Sequence, residues 1–312
     1  MKKNFFRIGA AFFAVLLVLG TASCSKKEKK IRVGFTVQDL TNTYFASVVR
    51  GINDHKDQYN IELVLHDGKS DASNQVNGIE NFITQGLDAI VICPIDPVAP
   101  ALVVKEAQEA GIPVISWSEL VEGSSAFLTL KQHQYGFTAG TIAGEWAAEK
   151  FPNQADAKVM FVYVPEVAAL AERGQGLKDG FLQLVPGATI VAEQAGNTPE
   201  AGQNAVETVL VKNPDLNVIV ACNDAVALGA YEAMAAAGKK VGEVAIVGLD
   251  ASAEAIAKIR ENTMFIGTVD IGAYAQGELF CKTALKVISE GKLNEPIYVD
   301  FIPVTQANIS NY

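Results

Sequence analysis

From residue 31 onward, short apolar runs alternate with segments whose apolar positions recur every three or four residues. The runs predict strands over 31–37, 61–66, 89–93 and 113–117, with helices over 43–58, 72–85 and 98–110 between them. After a strand over 126–130 the pattern restarts. It predicts helices over 135–150, 168–184, 199–212, 225–237, 253–260 and 273–289, alternating with strands over 157–164, 189–193, 216–222, 244–249 and 265–269. Gly86, Gly111 and Gly238 fall where helices should stop, the usual place for a left-handed closing residue. Such βαβ repetition implies parallel sheets with right-handed crossovers. A chain of 312 residues is long for one domain, so two α/β units are expected. The halves share an architecture rather than a repeated sequence, and no low-complexity linker divides them, which fits two units exchanging strands.

The first 23 residues follow another pattern. Lys2, Lys3 and Arg7 precede an apolar run from Ile8 to Leu19, then Thr21-Ala22-Ser23-Cys24. A basic head, a short apolar run and small residues describe an export signal over 1–23. The run is about 12 residues, too short to span a bilayer comfortably. Cys24 after Ala22-Ser23 resembles a bacterial lipobox, with Thr21 departing from its usual Leu. Lipidation at Cys24 is therefore expected, with 24–30 a solvated tether and the protein held at the periplasmic or outer face of the envelope.

Losing Lys2, Lys3 and Arg7 takes the formal charge from −10 to −13. So acidic a surface argues against nucleic acid as a partner, because phosphates attract basic patches. Cys93, Cys222 and Cys281 are too few and too widely spaced for a disulfide framework, and buried free thiols are expected. His55, His66 and His133 form no ligand set with them, so neither metal nor cofactor is expected. There is no G-x-S-x-G elbow, P-loop or H-E-x-x-H, and Gly174-Gln175-Gly176 lies inside a helical stretch rather than after a strand. Nothing pairs two carboxylates for acid–base work, so an enzyme is not expected.

Chemistry concentrates just past strand ends. The stretch VGFTVQDLTNTYFASVV over 33–49 runs from a strand through polar residues into a helix, putting Asn42, Tyr44 and Phe45 at the junction. Asp96, Trp117, Ser118, Glu119, Asn223, Asp224, Asp250 and Asp270 take similar positions later. Carboxyl ends of parallel strands share one sheet edge, where ligands bind in open α/β folds. Each residue also has a structural alternative. Tyr44, Phe45 and Trp117 can pack as core, and Asn or Asp can cap helices, most simply at Asp96 and Asp224.

Taken together, Asn42-Thr43-Tyr44-Phe45, Gly111-Ile112-Pro113-Val114-Ile115, Arg173-Gly174-Gln175-Gly176, the run from Asn223 to Ala230, and Ile246-Val247-Gly248-Leu249-Asp250 carry a resemblance over 31–312. The chain resembles the ribose- and galactose-type periplasmic binding proteins of ABC importers. The resemblance implies two doubly wound parallel-sheet lobes, about 31–131 with 271–299 and 132–270 with 300–312, joined by a three-crossing hinge. It further implies that Asn42 and Tyr44 or Phe45 hold a solute from one lobe, and Arg173, Asn223 and Asp250 from the other. Ribose binders carry Asp-Arg where this chain has Ser118 and Glu119, and a Gln where a count from Asp250 reaches Asp270. Trp117 would add a second aromatic wall unless it faces the core.

Rings pack on the C–H faces of a sugar, while Asp accepts, Arg donates and Asn does both toward hydroxyls. Several carboxylates near one ligand repel unless something positive offsets them. The expected solute is therefore a sugar, polyol or amino sugar, with a cationic or nucleoside-like compound as the alternative. The implied partners are an ABC permease of the inner membrane and the membrane itself through the lipid anchor, the protein being a monomer. Presentation to a chemoreceptor is compatible. A transcription-factor effector domain of the same fold is opposed by the export signal.

Overall fold

The computed structural model describes residues 29–312. The expected signal segment over 1–23 and the expected lipidation at Cys24 lie outside the described residues. The elements are β1 (Ile31–Val37), α1 (Thr43–His55), β2 (Ile61–Asp67), α2 (Ala72–Thr84), β3 (Ala89–Ile92), α3 (Ala101–Glu109), β4 (Val114–Trp117) and β5 (Ala126–Thr129). Next come α4 (Gln132–Lys150), β6 (Lys158–Tyr163), α5 (Ala168–Leu184), β7 (Thr189–Ala195), α6 (Pro199–Lys212), β8 (Val218–Ala221) and α7 (Asp224–Ala236). The last are β9 (Ala245–Val247), α8 (Ala253–Arg260), β10 (Phe265–Asp270), α9 (Gln276–Glu290), β11 (Ile297–Tyr298) and β12 (Ile302–Thr305).

The strands form two six-stranded sheets, ordered β11-β5-β4-β3-β1-β2 and β12-β10-β9-β8-β6-β7. Pairing is parallel except between β10 and β12. Each sheet is apolar on both faces because helices cover both. On β1, Val33, Phe35 and Val37 pack among residues of α1 and α9. Gly34 faces the other way, where an added Cβ would meet Phe82 and Leu87. On β6, Met160 and Val162 join the cluster under α6–α8, while Val159 and Phe161 join the one under α4 and α5. The chain passes between the sheets three times, from β5 to α4, from β10 to α9 and from β11 to β12.

Three helices start three residues away from their expected positions, α9 among them at Gln276. Helix α4 begins at Gln132, and α3 waits until Ala101 because Asp96 first accepts from the N–H groups of Val98 (2.7 Å) and Ala99 (3.1 Å) in a turn. Strands β11 and β12 were not expected. They finish the outer edges of the two sheets, and at two and four residues they are too short to show a period of their own.

Candidate functional site

At the β1–α1 junction, Asn42 caps α1, its Oδ1 accepting from the Tyr44 N–H at 2.9 Å. The Tyr44 hydroxyl donates to Gln276 Oε1 at 2.6 Å and accepts from Trp117 Nε1 at 3.3 Å. These bonds fix the ring, which stands edge-on to Phe45 at 5.1 Å. Of the two candidate rings, Tyr44 keeps part of its surface open and Phe45 is buried in the core. Trp117 takes the core alternative rather than forming a second wall. It is 2% exposed and stacks on Phe35 at 5.5 Å, supporting Tyr44 from behind. Ser118 and Glu119 stand exposed past β4, with Ser118 in the left-handed region at φ 69°. Beneath them lies the buried Cys93, whose thiol is pushed up to about 12 by burial, against a Ser118 hydrogen bond and with help from Glu119.

The second sheet edge is built around a strained turn. Asp250 and Ala251 have φ of 105° and 52°, costly for residues with a Cβ. The surrounding bonds over-determine that conformation. Asp250 N–H donates to the Val269 carbonyl (2.9 Å), Ala251 N–H to Thr268 Oγ1 (3.1 Å) and Ser252 N–H to Asp224 Oδ2 (2.7 Å). Asp224 is 2% exposed and also accepts from Thr268 Oγ1 at 2.7 Å. Its carboxylate thus braces the loop that carries Asp250, which is more than the simple cap expected of it.

Asp250 is exposed as a residue, while its carboxyl lies among the side chains of Tyr135 and Arg173. Tyr135 donates to its Oδ1 at 3.0 Å. Burial pushes the Asp250 carboxyl up to about 6, with the Arg173 guanidinium and the Tyr135 hydroxyl pulling it back. Arg173 is held on three sides. Its Nε donates to Gln132 Oε1 (3.0 Å), its Nη1 to the Cys222 carbonyl (2.9 Å), and its guanidinium carbon lies 5.0 Å from the centre of the Tyr135 ring. Asn223 caps α7 by accepting from Val226 N–H (2.8 Å), and its amide donates to Asn197 Oδ1 (2.7 Å). Asp270 accepts from Gly272 N–H at 2.7 Å and lies beside the Tyr312 hydroxyl, which burial and that carboxylate push up to about 12.

Tyr44 belongs to one sheet edge and Asp250 to the other, yet the Asp250 carboxylate contributes to raising the Tyr44 hydroxyl, after burial and the Cys93 thiol. Gln276, which accepts from Tyr44, donates to the Ile271 carbonyl at 2.6 Å just past β10, so the two edges meet at that crossing. Arg173, Asp250, Cys222 and Asp224 gather on one side, Tyr44, Cys93, Ser118 and Glu119 on the other, while Asp270 is engaged at the crossing between them.

Four polar residues of this region escaped the sequence reading. Gln132 opens α4 just after β5, so the strand-end rule applied there would have found it, with Tyr135 in the same first turn. Asn197 was hidden because β7 runs to Ala195, two residues further than its apolar pattern. Gln276 carried no signal at all. Among the described residues no group of three or more His, Cys, Asp or Glu could hold a metal ion, and no helix is long and apolar enough to cross a membrane.

A family model described as a periplasmic binding protein domain matches residues 33–293. The chain is 30% identical to the ribose import binding protein of Bacillus subtilis over 247 residues, 78% of this chain and 77% of that one. It is 30% identical to the D-ribose/D-allose-binding protein of Pseudomonas aeruginosa, covering 84% and 83% of the two chains. An ABC transporter solute-binding protein from Actinobacillus succinogenes, solved with bound D-allose, superposes with a TM-score of 0.78 at 26% identity, covering 91% of this chain and 100% of that one. The fold also matches the Caulobacter myo-inositol binding protein, with a TM-score of 0.71 at 24% identity and coverage of 90% and 95%. With this match over most of its length and two sheets arranged in the same way, the chain belongs to the periplasmic binding protein family in its type I form.

Proposed function

We infer that the chain captures a small polyhydroxylated solute between its two lobes and delivers it to an ABC importer. The observation that carries this reading is the hydrogen-bonded path from Tyr44 through Gln276 to the Ile271 carbonyl, two residues past Val269, whose own carbonyl accepts from the Asp250 N–H. A ring face on one wall and a fixed carboxylate, guanidinium and amide on the other match the C–H faces and hydroxyls of a sugar or cyclic polyol. Asn42, Tyr44 and the rim residues Ser118 and Glu119 contribute from the first lobe, and Arg173, Asn223 and Asp250 from the second. The relatives named for ribose and allose support the same ligand class.

Arg173 offsets the charge of Asp250, and the Asp270 carboxylate is already engaged by Gly272. Both features favour a neutral ligand over the cationic one suggested by the acidic sequence. The lobes, about 31–131 with 271–299 and 132–270 with 300–312, would close about the three crossings, and the permease would recognise the closed form. Export by residues 1–23 and anchoring through Cys24 would hold the protein at the outer side of the membrane.

A thermal-shift panel of D-ribose, D-allose, myo-inositol, glucosamine and adenosine tests the ligand class. A ligand at 100 times its Kd adds about 2.7 kcal/mol of stability. Stabilisation by a neutral sugar or polyol that is lost in Asp250→Ala is the expected result. Stabilisation by glucosamine alone would transfer the reading to cationic solutes, and no response to any compound, with nothing co-purifying by mass spectrometry, would remove it.

A further inference from the structure

Tyr135 is fully buried, yet its hydroxyl has two acceptors, Asp250 Oδ1 at 3.0 Å and the Val269 carbonyl at 3.1 Å. A phenol carries one proton and can satisfy only one of them at a time. The ring is clamped, with the Arg173 guanidinium 5.0 Å from its centre and Phe301 meeting it edge-on at 5.3 Å. These contacts fall at every passage between the lobes. Tyr135 stands in the first turn of α4, just after the β5–α4 crossing. Val269 lies one residue before the end of β10, where the second crossing begins, and Phe301 lies within the third, between β11 and β12.

We propose that Tyr135 is a positioning residue that aims Asp250 at the solute and ties that carboxylate to all three crossings. This rests on Asp250 being a ligand-facing group, as argued above. In the empty site the hydroxyl proton is drawn to Asp250. When solute hydroxyls donate to that carboxylate, the proton is released to Val269 and strengthens the packing of α4 against the end of β10. Occupancy at Asp250 is thereby transmitted to the backbone that bends on closure, without any contact between Tyr135 and solute.

The test is Tyr135→Phe, which keeps the ring and removes the hydroxyl. Carbon-13 carboxyl NMR of the ligand-free protein, with Asp250→Asn to assign the signal, reads the titration of Asp250. The groups facing that carboxylate are Arg173 from α5, Tyr135 from α4, Cys222 after β8, Asp224 from α7 and Tyr44 from the opposite lobe. Losing a donor to the ionised form should raise the Asp250 midpoint. An unchanged midpoint would overturn the proposal, because a ring that merely fills space has no hold on a proton equilibrium. Phe301→Leu, which keeps the hydroxyl but frees the ring edge, should give a smaller rise and keeps the test open if Tyr135→Phe folds poorly. Spin labels on the two lobes should report a broader spread of distances in both variants, and an unchanged spread would remove the link to the crossings. Any of D-ribose, D-allose or myo-inositol that binds the parent should bind Tyr135→Phe roughly tenfold more weakly. Failure of all three to bind the parent would count against the sugar reading, while the titration would still decide the role of Tyr135.

Discussion

Gly136 on α4 lies against the backbone of Arg173 on α5, so that a Cβ on the glycine would overlap the Arg173 carbonyl oxygen. The contact fixes the arginine beside Tyr135 and Gln132, the neighbours of Gly136 that share its helix. Gly140, Gly176 and Gly180 extend the same backbone-to-backbone approach along the two helices. Sequence alone displays this as glycines four residues apart, without showing that they set the position of Arg173.

Gly136→Ala should therefore cost more than its small volume suggests. Overpacking of this kind destabilises by about 1–3 kcal/mol. Urea denaturation should register that loss, and solute affinity should fall in the folded variant because Arg173 is pushed from its place. An Ala variant as stable as the parent would mean that the helices separate freely.

The pH dependence of stability has a definite sign. Burial is the first cause that pushes Asp224 up to about 7 and Asp250 up to about 6, both from 3.8. Between those limits the folded state binds protons more tightly than the unfolded state. The contribution of the two groups is fully present below pH 3.8 and is lost as pH rises through 6 and 7. Thermal melts from pH 4.5 to 7.5 should decline less steeply in Asp224→Asn than in the parent. Asp224→Ala, which orphans the donors of Ser252 and Thr268, should cost about 2–4 kcal/mol at any pH in that range.

Solute capture should run in the opposite direction. Only the ionised Asp250 is a pure acceptor for hydroxyl donors, and it is ionised above about 6. Affinity measured by calorimetry should weaken as pH falls from 7.5 to 5. In Asp250→Asn the remaining affinity should be flat over that range.

Thr283 on α9 carries a buried hydroxyl with no hydrogen-bond partner. It borders a small apolar space with Val91, Ile115, Trp117, Leu128 and Phe280. Thr283→Val removes an orphaned polar group at nearly constant shape and should stabilise the first lobe by about 1 kcal/mol. A rise in the denaturation midpoint with unchanged slope would confirm it.

The sequence was informative where local pattern and tertiary role coincide. Asp250 was legible because it ends an apolar, fully buried run, three residues past the last residue of β9. Trp117 was ambiguous for the same reason. In β4 all four residues are buried, so strand alternation separates Ile115 and Trp117 from Val114 without saying that either face meets solvent. Tyr135 drew no notice beyond opening an expected helix over 135–150. Its hydroxyl gains meaning only from Asp250 and Val269, more than a hundred positions away. Strands β11 and β12, with two and four residues, are made by pairing rather than by composition.

Those two short strands have a consequence for how the molecule matures. Each supplies the outermost ladder of a different sheet, and both lie between residues 297 and 305. As the ribosome works from the amino end, neither of these ladders can form until residues 297–305 have emerged. The halves should then ripen together, late and side by side, instead of one settling while the other is still being made.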